Sequence, residues 1–326
     1  MINLDYPEKL LLHDHELRIN NIIKADYSDN VTKFKNTELG KIVYNICGSE
    51  EKFKLLQEFL GVIMSNLPTN KCFFIVGESQ FLKVVLTMLL SEAIGLCELS
   101  AVDLSSLYKP KSLKYINHSQ LNIGTCKFNT QKENIEILQK ILELSPVYID
   151  DKIKILDSKL LFIGESLPEI PTEHFEIFNL LNVLHIDNNI SINNVFALRE
   201  NLYQYVNSFA MWAFKGALRY FKNGYRFTED KDSLKHITNH KRICNSVKTF
   251  IDTCLRSAGE KDFISKTELY EVYTNFCNNN QLKSVSPETL YATIISQIPT
   301  ALLKRNNVDG KYIHTIRGIY WKNQKT

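Results

Sequence analysis

The chain has 326 residues, 44% hydrophobic, 23% charged and 11% aromatic, which is enough for a sizeable core in two or three domains and excludes a largely disordered protein. Its seven cysteines include no CxxC pair, which argues against a disulfide framework or a zinc ribbon and for reduced thiols in a cytoplasmic setting; the acidic start (Asp5, Glu8, Asp14) lacks the pattern of a secretory signal, and no apolar run is long enough to span a bilayer, so no membrane partner is expected. The net charge of +3 is uneven: residues 241–326 hold 13 basic and 7 acidic residues, +6, while residues 1–240 carry −3, which makes the C-terminal part the better candidate for touching nucleic acid.

Residues 1–35 show no single period, and the pattern turns helical at Thr37. Leu39, Ile42, Val43 and Ile46 share one face before Gly48, and a second helix capped by Ser49 carries Phe53, Leu56, Phe59, Leu60 and Ile63, with Lys52 starting its exposed face. Cys72–Val76 is a short apolar run between turn signals, read as a buried strand ending at Gly77. A helix follows to Gly95 with Val84, Val85, Met88 and Leu89 inward. Further on, LKYI at 113–116 is expected to be a strand, 131–144 a helix on Ile135, Leu138, Ile141 and Leu142, and KLLFIG at 159–164 a second strong strand. Residues 172–186 read as a helix running into a strand, and 195–224 as two helical stretches ending at Gly224. The alternation implies a three-layer α/β core with a parallel sheet, closed by helices. The domain expectation is an N-terminal helical segment over 1–70, the core over 71–227, a linker or an exposed helix between domains over 228–241 and a C-terminal domain over 242–326.

Between the first strand and its helix the chain reads Gly77-Glu78-Ser79-Gln80-Phe81-Leu82-Lys83-Val84. A phosphate loop of the form GxxxxGK[ST] uses glycines to aim backbone amides at phosphates, a lysine to reach the β and γ groups, and a hydroxyl to hold magnesium. Here the first glycine and the lysine stand in place. Leu82 replaces the second glycine and Val84, which cannot coordinate magnesium, replaces the hydroxyl residue. Glu78 adds a negative charge near the phosphate positions. The nucleotide-binding remnant is thus Gly77, Glu78, Ser79, Lys83 and Val84. No resident cofactor is expected, with ATP and magnesium entering only if this altered site works, and no dedicated metal site is expected. Taken by itself, a tight strand–helix turn with a surface lysine explains Gly77 and Lys83 equally well.

The run FLGVIMSNLPTNKCFFIVGESQFLKVVLTMLLSEAIG resembles the start of the ATPase core in superfamily 3 helicases of the AAA+ type, closest to the poxvirus D5-like and satellite-phage primase–helicase family, with Gly61, Gly77, Lys83 and Gly95 in matching places. LLFIGESLPEI at 160–170 is similar to the family's sensor strand, with Leu167 and Pro168 matching and Glu165 where an asparagine is expected. FAMWAFKGALRYFKNG resembles its closing segment through Trp212, Gly216 and Gly224, although packing alone accounts for the tryptophan. The resemblance implies acidic Walker B residues after a strand. The position after LKYI offers Asn117 and His118, and Asp150 with Asp151 is a substitute. Arg199 is the arginine-finger candidate beside a plain surface role. The remnant catalytic positions are therefore Lys83, Glu165 and Arg199, and the family's primase part is expected to be missing.

Ser265 with Glu268 forms a capping box, Ser286-Pro287-Glu288 opens a further helix, and Asp309-Gly310 between alternating stretches signals a hairpin. With a helix at 242–257, this order predicts a winged helix, and KTELYEVYTNFC resembles a motif of the same family. The helix opening at Pro287 has no Lys or Arg, so the DNA-binding candidates are Lys283, Lys304, Arg305, Lys311, Arg317 and Lys322, placed for backbone contacts. A protein-docking or purely structural role for this domain stays open beside that. The expected function is a catalytically impaired helicase-like protein in replication of a mobile element, phage or virus, binding DNA or a replication protein such as a primase, polymerase or helicase. The resemblance also implies a homo-oligomer or ring. An active helicase with atypical motifs and a regulator of a host or helper replication protein are the alternatives.

Overall fold

The computed structural model describes residues 32–65, 67–77, 80–187, 201–259, 261–308 and 311–322. It divides into two compact units, Met1–His236 and Ile237–Thr326. The division falls within a helix, because the stretch expected as a linker or an exposed helix is helical over Lys231–Cys244.

The first unit is built on a five-stranded parallel sheet. Its strands are β1 (Cys72–Gly77), β2 (Leu99–Ser100), β3 (Leu121–Thr125), β6 (Lys159–Gly164) and β7 (Leu181–Ile186), in the order β2-β3-β6-β1-β7. The central β1 pairs in parallel with β6 (Phe74 opposite Phe162) and with β7 (Phe74 opposite Val183). Both faces are buried, as a parallel sheet requires. Phe73, Ile75, Leu161 and Ile163 enter the main core on one face, and Phe74 and Phe162 meet on the other with ring centroids 5.5 Å apart. Two short strands, β4 (Val147–Ile149) and β5 (Lys152–Lys154), form a separate antiparallel hairpin.

Helices α1 (Glu38–Cys47), α2 (Glu50–Met64), α3 (Gln80–Ile94) and α6 (Val206–Lys222) supply that main core; α4 (Pro110–Asn117) and α5 (Lys132–Leu142) lie between β2 and β4 in the chain. Thr37 and Ser49 cap α1 and α2 by accepting from the amides of Gly40 and Lys52. Lys52 departs from its expected exposed position: α2 is buried all round from Lys52 to Met64, and the Lys52 ammonium ends 2.5 Å from the Asp232 carboxylate.

The crossing of α2 and α6 is a close one. A Cβ on Gly61 would stand 2.1 Å from the Ala213 carbonyl oxygen, and one on Gly216 would stand 2.2 Å from that of Gln57. The two helices therefore touch backbone to backbone. Beside the contact, the fully buried Glu58 carboxylate accepts from Arg219 Nε (2.5 Å), Thr228 N (2.6 Å) and Thr228 Oγ1 (2.7 Å). Arg219 also donates to the Lys54 carbonyl and to Gln57 Oε1, both at 2.9 Å. A buried carboxylate is tolerated only with such partners, and removing one costs about 3–5 kcal/mol. Trp212 packs between Phe34 (5.0 Å) and Phe53 (4.8 Å), a packing role.

The sequence expectation for LKYI is corrected. Residues 113–116 lie inside α4, which Pro110 opens at its first position. Leu113 and Ile116 are buried three apart on one helical face, a spacing that the short alternating run disguised. The strand of this region is β3, LNIGT, whose apolar run is interrupted by the buried Asn122. That side chain stands in for a longer β2: Oδ1 accepts from Val102 N (2.8 Å) and Ser100 Oγ (2.8 Å), and Nδ2 donates to Val102 O (2.9 Å).

The second unit begins within α7 (Lys231–Cys244), whose residues up to His236 belong to the first; α7 gives way at Asn245 to α8 (Ser246–Cys254), so the single helix expected over 242–257 is two. Then come β8 (Leu255–Ser257), β9 (Phe263–Ser265), α9 (Lys266–Asn279), α10 (Pro287–Gln297) and the hairpin β10 (Leu302–Val308) with β11 (Lys311–Arg317); β12 (Ile319–Trp321) pairs with β8. The three strands β9, β10 and β11 form one antiparallel sheet in the order β10-β11-β9, and α8, α9 and α10 pack with it around one core. Ser265 and Ser286 cap α9 and α10. The Tyr273 hydroxyl, held by Ser246 Oγ (2.7 Å) and Val285 N (3.1 Å), is pushed up to about 12 by burial.

Because the α2–α6 contact has no room for a methyl group, Gly216→Ala is expected to lower stability by about 1–3 kcal/mol. The midpoint of urea unfolding checks this, and an unchanged midpoint would show that the helices can separate freely.

Candidate functional site

In an open parallel sheet, ligands bind beyond the carboxyl ends of the strands. Here the ends of β1, β3 and β6 and the start of α3 enclose a cleft of about 730 Å³. Its lining brings together three of the expected residues, Gly77, Lys83 and Glu165, and adds Thr125 to Asn129 and Ser166, which sequence reasoning missed. The missed residues follow β3, and they could have been found only by recognising Leu121–Thr125 as a strand. Glu78, Ser79 and Arg199 lie outside the described residues.

Each remnant position has a local physical account. Gly77 has φ +140°, and a Cβ there would lie 1.8 Å from the Ile186 carbonyl oxygen on β7. The glycine is demanded by the sheet itself, whether or not a phosphate binds. Two residues separate the end of β1 at Gly77 from the start of α3 at Gln80. Leu82 thus stands in the first turn of α3 with its side chain wholly in the core, where the motif would need a loop glycine. Lys83 follows it, half-buried and facing the cleft. Val84, expected inward, is 40% exposed; the inward face is instead Phe81, Leu82, Val85, Leu86, Leu89 and Leu90. Val85 and Leu89 face inward as expected, Met88 packs half-buried against the core, and the stripe extends to Leu82 and Leu86.

The exit of β3 occupies the place beside the sensor-like strand β6. It reads Thr125-Cys126-Lys127, with no carboxylate. Thr125 N and Oγ1 donate to Asp103 Oδ1 at 2.8 and 2.5 Å, so the nearest acid is turned onto the strand end. Cys126 donates from Sγ to the Ser166 carbonyl (3.3 Å), and Glu169 N donates to the Phe128 carbonyl (2.8 Å), tying the two exit loops together. Burial pushes the Cys126 thiol up to about 12, with the Lys83 charge acting the other way. Asp150 and Asp151, the substitute acids, have φ +49° and +59° and form the turn of the β4–β5 hairpin. Asp150 pairs with Lys114 at 2.9 Å, and neither aspartate lines the cleft. Among the described residues the donor set therefore does not fit a magnesium ion beside a triphosphate: Val84 brings no hydroxyl, β3 itself exits without a carboxylate, and Asp103 beside it is engaged by Thr125.

A second polar cluster lies at the end of β7. His185 Nδ1 is 3.0 Å from Asp232 Oδ2, its Nε2 is 3.1 Å from Asp187 Oδ1, and its ring stacks on His236 with centroids 4.1 Å apart. Ligand atoms of His185, Asp187 and Asp232 lie within 4.8 Å of one another, close enough for a metal ion. Lys52 already pairs with Asp232, and each imidazole nitrogen of His185 lies beside a carboxylate. This is an ion network joining α2, β7 and α7.

The basic candidates of the second unit separate by role. Lys304, Arg305 and Lys311 are exposed along the hairpin, and Lys283 is exposed between α9 and α10. Arg317 Nε donates to Asn306 Oδ1 (2.8 Å), bracing the hairpin, and Lys322 Nζ donates to the Asp252 carbonyl.

No family model matches the chain, and no curated protein matches it in sequence. Among solved structures it is similar to the A-form apo structure of the NrS-1 C-terminal region, with a TM-score of 0.51 and 12% identity over 90% of this chain and 78% of that one. A second apo structure of the NrS-1 C-terminal region (305-718) gives 0.51 and 13% over 90% and 77%. These matches establish a shared fold. No helix among the described residues is long and apolar enough to cross a membrane.

Lys52 and His185 hold the Asp232 carboxyl down at about 2, below its ordinary 3.8. A depressed carboxylate stabilises the fold at pH above its unfolded value and loses that contribution as pH falls through its folded value. Asp232→Asn is therefore expected to be less stable than the parent at neutral pH, with the difference vanishing as pH drops from 3.8 to about 2. Thermal melts across that window check it; a constant difference would locate the effect elsewhere.

Proposed function

We propose that the protein is a catalytically impaired, helicase-like protein acting in DNA replication of a mobile element, phage or virus. The observation that carries this reading is the make-up of the cleft. Lys83 still faces the space beyond β1, while Leu82 is a helical core residue and β3 exits without an acid. Phosphoryl transfer relies on metal-bridged phosphates and a positioned water, and the described side chains supply neither. The fold shared with the NrS-1 C-terminal region and the family resemblance of the strand–helix and closing segments support the helicase-like part. The +6 charge of residues 241–326 supports DNA as partner, through Lys283, Lys304, Arg305 and Lys311. A primase, polymerase or helicase would be the protein partner, and a ring of copies belongs to this reading only if the subunit interface is kept.

A second reading, a regulator of a host or helper replication protein, is favoured by one observation. Tyr148 and Ile153 face each other across the β4–β5 hairpin and are 72% and 62% exposed, a cross-strand apolar pair without cover. On that reading the chain would change the unwinding rate of a purified replicative helicase, and Tyr148→Ser with Ile153→Ser would abolish the change.

Purified full-length chain is expected to show no steady ATP turnover with magnesium, measured as phosphate release. A rate that disappears in Lys83→Ala would overturn the impaired-enzyme reading. Binding to DNA is expected to weaken steeply with salt, and replacing Lys304 and Arg305 by alanine together should flatten that dependence by about two phosphate contacts; an unchanged slope would move the contact to another surface.

A further inference from the structure

We propose that one face of the β10–β11 hairpin binds single-stranded DNA, with Tyr312 stacking on an unpaired base beside Arg305. This rests on the reading of residues 242–326 as a DNA-contacting domain and specifies the form of DNA and the residues that grip it.

Directly opposed residues of an antiparallel pair share a face, and so do residues two apart. Arg305 stands opposite His314 and Asn307 opposite Tyr312. The period of two gathers these four on one face of the hairpin. All four are exposed, with the tyrosine 75% so. Toward the base of the hairpin the same face reaches Leu303, opposite Ile316, and Ile316 is buried in the core of the unit. The face is thus anchored at one end and open at the other.

A single exposed ring is ordinary on a protein surface. This ring is set apart by its neighbours: a guanidinium diagonally across the ladder, an imidazole two residues on, and Lys311 next to it in sequence. The segment 302–317 carries Lys304, Arg305, Lys311 and Arg317 against Asp309 alone. Arg317 is engaged by Asn306 on the opposite face, where Lys304 and Lys311 also stand, and Arg305 is the cation on the face of Tyr312. An amide (Asn307), an aromatic ring, an imidazole (His314) and the Arg305 guanidinium on one face of a ribbon form a platform on which a base can stack while a phosphate beside it is neutralised.

The distribution of charge favours a single strand over a duplex. The helix that would enter a major groove, α10, carries Glu288 and no Lys or Arg, so it offers no positive charge to the phosphates that flank the groove. A tyrosine ring meets the face of a base only when that base is out of the stack.

The test uses the full chain and fluorescence anisotropy with a labelled thymidine oligonucleotide and a duplex of equal length, over a series of salt concentrations. The single strand is expected to bind more tightly. Tyr312→Ala should weaken that binding about tenfold and Tyr312→Phe by less than about twofold, since stacking needs the ring and not the hydroxyl. Arg305→Ala should lower the salt slope by about 0.7. Parent-like binding by Tyr312→Ala overturns the stacking proposal and leaves DNA contact by the domain standing; tighter binding to duplex, insensitive to Tyr312, does the same. A parent chain that binds neither form removes both readings. Because the ring is exposed, the melting temperature of Tyr312→Ala should match the parent, and the Phe comparison keeps the test valid if it does not.

Discussion

The backbone contact between α2 and α6 is the constraint on which the first unit depends. Two helices approach this closely only where side chains are missing from both, and Gly61 and Gly216 supply the gap. The approach then makes the rest affordable: it brings Arg219 within reach of a carboxylate that has no access to water, and the same carboxylate collects the Thr228 amide and hydroxyl. Glu58 thereby fixes the end of α6 and the chain that leaves it. From α2 the order passes to the sheet through Phe59, which packs on Phe73 of β1 at 4.8 Å, and to α7 through Lys52 and Asp232. The elements framing the cleft are held from behind by this network.

The cleft separates what a β–α unit needs for packing from what phosphate chemistry would need. The strand ends, the tight turn and the lysine are geometric properties of a β–α unit, and they persist. A hydroxyl at position 84 and acids after β3 would serve chemistry with no part in packing, and neither stands there. Leu82 is the pivotal position: as a leucine it gains full burial in the first turn of α3, worth about 2 kcal/mol, which a loop glycine would forgo. Stability and phosphate binding thus ask for different residues at that site, and the core has the residue it needs.

Much of this was legible in the sequence, and the failures have definite causes. Strong apolar runs gave β1 and β6, capping residues gave α1, α2, α9 and α10, and Asp-Gly gave the terminal hairpin, because each depends on interactions within a few residues. LKYI misled because four residues cannot separate alternation from an i, i+3 pair. β3 was missed because Asn122, a polar residue in an apolar ladder, is satisfied by Ser100 and Val102 some twenty residues away. Lys52 reads as a surface residue until Asp232, far along the chain, is brought to it. The site inherits these errors: Gly77, Lys83 and Glu165 follow recognisable local patterns, whereas the contribution of Thr125 to Asn129 depends on a strand that only the tertiary structure reveals.

Gly77 has one consequence for the history of such a fold. It answers to two masters: the ligand that a phosphate loop would hold and the Ile186 carbonyl that leaves no space for a side chain. Val84, on the helix surface, answers only to the ligand. When selection for hydrolysis lapses, drift should erase the singly employed positions first and spare the doubly employed ones. A lineage would then keep the opening letter of its signature long after the sentence has lost its meaning.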